Sequence, residues 1–359
     1  MNDEERLRRT IAAIGPLDEA AMAAARGHQD HLTKPPGSLG RLEELAIRLA
    51  GIAGMPQPRI ARKVVIVCAA DHGVTAEGVS AYPAAVTAQM VLNFVRGGAA
   101  INVLARRAGA DVVIADLGVD HDFSPELPIM HAKVGRGTAN MAAGPAMTRE
   151  AAVRAVTVGI ELVEPQASKS ASEGGLLVVG TGEMGIGNTT ASSAIVAALT
   201  GTPVAEVTGR GTGIDDGTWR NKVATIERAL AVNAPEPNDA LDVLAKVGGY
   251  EIGGLVGVIL GTAGRRGAVV IDGFISGAAA LLAATLCPPV RENLFAAHRS
   301  VEVGHRVVLE RLGLEPLLDL QLRLGEGTGA ALAMHLLDDA LAIHSEMATF
   351  EDAGVSGAV

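Results

Sequence analysis

The chain has 359 residues, a formal net charge of −10, 48% apolar and 19% charged residues, and two cysteines. So acidic a composition argues against a nucleic-acid or anionic-membrane binder, since both need a basic face to displace counterions. Two thiols cannot build a disulfide framework, so Cys68 and Cys287 are expected to be buried small hydrophobes. Aromatics at 2% leave a core of Ala, Val, Leu, Ile and closely packed Gly, which suits helices lying tightly on a parallel sheet.

The first residues, MNDEERLRR, lack the apolar core of a signal peptide. The longest apolar runs, around 252–263 and 275–287, fall short of the ~20 residues of a membrane span, so a cytoplasmic protein is expected. Residues 1–58 carry two helical patterns split by the turn KPPGSLGR; in the second, Leu42, Leu45, Ala46, Leu49 and Ile52 recur at helical spacing. Strand-like runs follow: VVIVC (64–68), VVIADLGV (112–119), LLVVG (176–180) and AVVIDG (268–273). Each leads into a Gly-rich or polar turn and then a helical stretch. Apolar at nearly every position, they predict an α/β fold with a parallel sheet flanked by helices on both faces. From about 300 onward the pattern is helical again. The expected organisation is a large α/β domain over 60–298 and a small helical domain built from both termini, 1–59 and 299–359.

Ligands in such folds bind beyond the carboxyl ends of the strands, so the turns after the strands carry the chemistry. The turn within VVGTGEMGIGNTTASSAIVAAL (178–199) contains a literal GxGxxG at Gly180, Gly182 and Gly185. A dinucleotide-binding dehydrogenase is therefore one reading. Against it, Glu183 would put a carboxylate where a pyrophosphate should lie, and the helix is expected to begin only near Asn188 to Thr190. In the preferred reading Gly185 and Gly187 let backbone N–H groups approach a single phosphate, with Asn188, Thr189 and Thr190 as side-chain donors. A plain tight turn with an N-cap stays open as the alternative.

In VTGRGTGIDDGTWRNK (207–222) the pair Asp215–Asp216 invites comparison with pyrophosphate-using transferases, but no four-residue apolar strand precedes it. Lys222 is a candidate phosphate partner or a solvated helix residue. In LRLGEGTGAALAM (322–334) Glu326 stands between two glycines in an apolar stretch before a helix. Burial there would raise its pKa and suit it to proton abstraction; the alternative is a helix cap. The turns CAADHGVTAEGVSAYP (68–83) and AAHRSVEVG (296–304) complete the set. No residues show metal-ligand spacing, and no GxSxG elbow appears. A non-catalytic nucleotide-binding subunit also remains possible on the residues alone.

Taken in order, KPPGSLGRLE, ADHGVTAEGVSAYP, QMVLNFVRGGAAIN, GEMGIGNTTASSA, VTGRGTGIDD, AHRSVEVGH and RLGEGTGAALAM resemble the nicotinate-nucleotide:dimethylbenzimidazole phosphoribosyltransferase family of cobalamin biosynthesis, over about 34–334. The resemblance implies transfer of ribose 5-phosphate from nicotinate mononucleotide to 5,6-dimethylbenzimidazole on a Rossmann-like sheet, without cofactor or metal. It also implies a homodimer whose site is completed across the interface. Carried over by motif, Glu326 would be the catalytic base. Gly185, Lys222 and Ser300 would contact the mononucleotide and its phosphate with Glu183 nearby, and Ser80 and Gln89 would line the benzimidazole pocket. Gly187, Asn188 and Gly325 join the expected substrate site. Tyr82 stands where family members often carry Phe, keeping the ring and adding a hydroxyl.

Overall fold

The computed structural model describes residues 1–211 and 213–356. Its centre is one all-parallel sheet of six strands: β1 (Ile60–Ala70), β2 (Asp111–Gly118), β3 (Met130–His131), β4 (Leu176–Met184), β5 (Ala268–Ile271) and β6 (Leu294–Ala296), in the order β3-β2-β1-β4-β5-β6. From β1 the chain builds outward to β2 and β3, then returns to place β4 on the other side of β1. That reversal opens a crevice at the carboxyl ends of β1 and β4, where doubly wound sheets bind ligands.

Fourteen α-helices are described: α1 (Asp3–Ala12), α2 (Glu19–His31), α3 (Arg41–Ala53), α4 (Val86–Arg96), α5 (Ala100–Ala108), α6 (Arg149–Ser172), α7 (Asn188–Thr200), α8 (Val204–Val207), α9 (Asp216–Asn233), α10 (Ala240–Val247), α11 (Tyr250–Ala263), α12 (Phe274–Leu286), α13 (Val303–Leu312) and α14 (Thr328–Glu346). The period-2 alternation of β1 sorts them into two layers. Val64, Ile66, Cys68 and Ala70 share an apolar cluster with α6, α7, α11 and α12. Val65, Val67 and Ala69 share another with α3, α4, α5 and α14. A strand covered on both faces needs apolar side chains in both registers, which is why VVIVC reads as a continuous run.

Helices from the two ends do meet, α3 against α14. Both also belong to the layer on the sheet, so the expected boundaries at 60 and 298 run through a shared apolar cluster. Glycine sets the spacing on the other face. A Cβ on Gly257 of α11 would strike the backbone of Val156 in α6, and one on Gly159 would strike Gly254. Bare backbone lets α6 and α11 approach closely enough to seal α11, whose 14 residues are all buried. The strands β3 and β6, two and three residues long, were not foreseen because so short a run carries no alternation.

Candidate active site

At the carboxyl ends of β1, β4 and β5 lies an open cavity of about 720 Å³. Glu183 and the turn Gly185–Asn188 enter it from β4, Asp272 from β5, and His298, Ser300 and Glu302 from the turn after β6. The loop Gln321–Glu326 forms one wall, and Ser80, Tyr82, Val86 and Met90 form the wall on the α4 side.

Glu326 lies just before α14 in a run of three left-handed residues, with φ of 82°, 65° and 90° at Gly325, Glu326 and Gly327. Glycine is needed on both flanks. A Cβ on Gly325 would collide with the Glu183 carboxylate, and one on Gly327 would lie 2.5 Å from Val65 of β1. The tight turn leaves Glu326 only 6% exposed, on the cavity wall, with Oε2 bound to nothing among the described residues. Burial pushes its carboxyl up to about 7; a hydrogen bond from the Ile101 N–H in the first turn of α5 opposes this, and the charge of Asp272 adds to it. Glu183 is pushed higher, to about 8, by burial and then by the charges of Asp272 and Glu251, while an amide hydrogen bond from Asn188 opposes the rise. At neutral pH Glu183 is thus a neutral acid, and Glu326 is poised to take or give a proton.

The Gly-rich segment folds differently from a dinucleotide fingerprint. Strand β4 continues through Met184, with Gly182 opposite Val67 and Glu183 opposite Cys68. Gly180 and Gly182 are therefore strand residues. A Cβ on Gly182 would press on the carbonyl of Glu326, and one on Gly180 on Ala330 and Met334, so these glycines let α14 settle onto the sheet. Only Gly185 to Gly187 form a turn, and α7 starts at Asn188 as expected. This arrangement removes the structural basis of the dehydrogenase reading. Asp215 caps α9 and Asp216 pairs with Arg210. Among the described residues no group of three or more His, Cys, Asp or Glu is gathered to hold a metal.

Of the residues singled out in the sequence, Ser80, Glu183, Gly185, Gly187, Asn188, Ser300, Gly325 and Glu326 all line this cavity. Lys222 lies behind its wall. It is 1% exposed, and its Nζ donates to Thr189 Oγ1 at 2.8 Å, Thr189 being the residue that faces the cavity. Burial lowers its pKa to about 8, partly offset by Glu302. Gln89 is not brought here. On α4, Val86 and Met90 face the cavity, whereas Ala88, Gln89 and Leu92 follow the other helical stripe and line a second cavity of about 550 Å³ with Asp71 and His72. Asp272, His298 and Glu302 were not singled out. Their signal was position, each lying at or just past the carboxyl end of a strand.

Comparison with known proteins agrees with this geometry. A family described as phosphoribosyltransferase matches residues 14–355. The nicotinate-nucleotide--dimethylbenzimidazole phosphoribosyltransferase of Chloroflexus aggregans is 60% identical over 350 residues, 98% of each chain. The protein of the same name from a Roseiflexus species is 60% identical over 353 residues, 98% of this chain and 99% of that one. The crystal structure of CobT from Thermus thermophilus superposes with a TM-score of 0.88 at 50% identity, covering 94% of this chain and all of that one. A cavity at the switch point, a buried carboxylate before α14 and end-to-end similarity converge: the chain belongs to the nicotinate-nucleotide--dimethylbenzimidazole phosphoribosyltransferase family.

Proposed function

We propose that this phosphoribosyltransferase moves ribose 5-phosphate from nicotinate mononucleotide to 5,6-dimethylbenzimidazole, releasing nicotinate and forming α-ribazole 5′-phosphate for the lower ligand of cobalamin. The observation that carries this reading is Glu326, a buried carboxylate on the cavity wall whose Oε2 has no hydrogen-bond partner among the described residues. As the C1′–N bond to nicotinate breaks, the cationic ring nitrogen keeps the bonding pair and departs as a neutral pyridine, so no general acid is needed. One nitrogen of the benzimidazole attacks C1′ from the opposite face and inverts the β-glycoside to α. Its other nitrogen gives up a proton, which Glu326 accepts.

The turn at Gly187 and Asn188, together with Ser300, is the proposed seat of the donor phosphate. Lys222 supplies charge from behind Thr189. Ser80 borders the proposed base pocket. Nicotinate mononucleotide and a panel of benzimidazoles should yield α-ribazole phosphates. Glu326→Gln should cut turnover by about 10²–10⁴ with little change in substrate affinity. Near wild-type turnover in that variant would transfer the base role to another group, Glu183 first.

The same reading includes a homodimer. Tyr82 and Leu324 are more than half exposed on the cavity rim, and Val301 and Val303 are exposed beside Ser300 and Glu302, an apolar margin that a second copy would cover. Light scattering should give twice the 36.6 kDa chain mass. No helix among the described residues is long and apolar enough to cross a membrane. The two buried, unpaired thiols support a reducing cytoplasmic compartment.

A further inference from the structure

The N-terminus of α14 has no side-chain cap of its own, because its N-cap residue is Gly327. The first N–H groups of a helix have no intrahelical acceptors, and here they are met by a carboxylate from another element. Asp272, 2% exposed at the end of β5, accepts from Gly329 N at 2.7 Å and Ala330 N at 3.1 Å through Oδ1, and from Gly327 N at 3.2 Å through Oδ2. His298 from the turn after β6 lies against the same carboxylate, its Nε2 3.8 Å from Oδ1. A Cβ on Gly329 would run into both. The residue preceding these three donors is Glu326. Asp272 also lines the cavity beside it.

We propose that Asp272 is a positioning residue for the transfer reaction, locking the first turn of α14 to β5 so that the Glu326 carboxylate is held in the cavity. The proposal rests on the reading of Glu326 as the proton acceptor. A charged anchor has a second effect that a neutral cap would lack. Burial, first, and then the charge of Asp272 hold Glu326 more basic than a free glutamate, against the Ile101 N–H. The other ionisable groups facing this pair are His298 and, on β4, Glu183 with Glu251 of α11 behind it. Near pH 7, where Glu326 titrates, Glu183, raised to about 8, is still mostly protonated, and Asp272, raised by burial to about 6, is mostly charged.

Two substitutions separate position from charge. Asp272→Asn keeps an acceptor for Gly329 and Ala330 but loses the charge and the bond from Gly327. It should lower kcat by about tenfold or more, with KM for both substrates little changed. The acid limb of its pH–rate profile should move down by about half a pH unit, because Glu326 then loses its proton more readily. Asp272→Glu keeps the charge and displaces the oxygens by one methylene; it should lose kcat while leaving the limb in place. A loss of kcat in Asp272→Asn with an unmoved limb, or near wild-type kcat in Asp272→Glu, would overturn the proposal. If Asp272→Asn does not fold, the kcat of Asp272→Glu decides alone. An inactive Glu326→Gln beside unaffected Asp272 variants sinks only this inference, whereas a fully active Glu326→Gln sinks the reading beneath it.

Discussion

Lys222 shows how a residue that reads as a solvated helix lysine becomes a tuned group. Enclosed behind Thr189 and Gly211, it holds its proton only up to about pH 8. If it serves the donor phosphate, binding must supply that proton again at higher pH. The KM for the mononucleotide should be flat below pH 8 and rise by about tenfold per pH unit above it, while the KM for the nucleoside stays flat. Lys222→Ala should abolish the rise, and steady-state kinetics over a range of about pH 6.5–9.5, spanning the lysine's lowered pKa, would check it. Glu326 stands out in the sequence because a carboxylate between two glycines is unusual in an apolar stretch. Asp272 does not, because one Asp after a strand has many ordinary uses, and its three N–H donors come from 55 or more residues away. Gln89 was assigned by motif alone, and a motif does not say which stripe of α4 faces which cavity.

At the scale of elements, the strands of four residues or more were legible and their ends were not. The run Gly-Thr-Gly-Glu-Met after LLVV has poor strand propensity, yet β4 holds it extended by pairing with β1 as far as Met184. Long-range pairing decided the outcome, and it converted an apparent phosphate loop into a bed for α14. Glycine in helices also takes its meaning from neighbours. Replacing helical Gly by Ala gains about 1 kcal/mol from propensity alone. Gly27 of α2 has nothing within 4 Å of a Cβ, so Gly27→Ala should show most of that gain. At Gly257 the added methyl meets the Val156 backbone, and overpacking of about 1–3 kcal/mol or more should win. Chemical denaturation of the two variants should move in opposite directions.

At the scale of the whole molecule, the buried acids make stability depend on pH in an uncommon direction. Glu183 and Glu326 have folded pKa values of about 8 and 7 against 4.5 unfolded, so between those limits the folded chain holds more protons and stability falls as pH rises. Below about 6.5 the buried His305, lowered to about 3, acts the other way, as does the lowered His344. Lys222, lowered from 10.5 to about 8, acts only above pH 8. The clear window is about pH 6.5–8, over which the apo protein should lose about 2 kcal/mol, seen as a fall in melting temperature. Glu183→Gln should remove most of that fall. The left-handed Glu326 extends the same logic beyond the laboratory. A β-carbon at φ of 65° is disfavoured by about 1 kcal/mol relative to glycine, and sealing its carboxylate from water adds to that. Mutation and selection for robustness alone would drift this position toward Gly or Asn, with little beyond the Ile101 N–H to resist the change. A glutamate persisting there in a lineage is thus a record that turnover was still being selected, and its loss would be an early mark of a gene released from that duty.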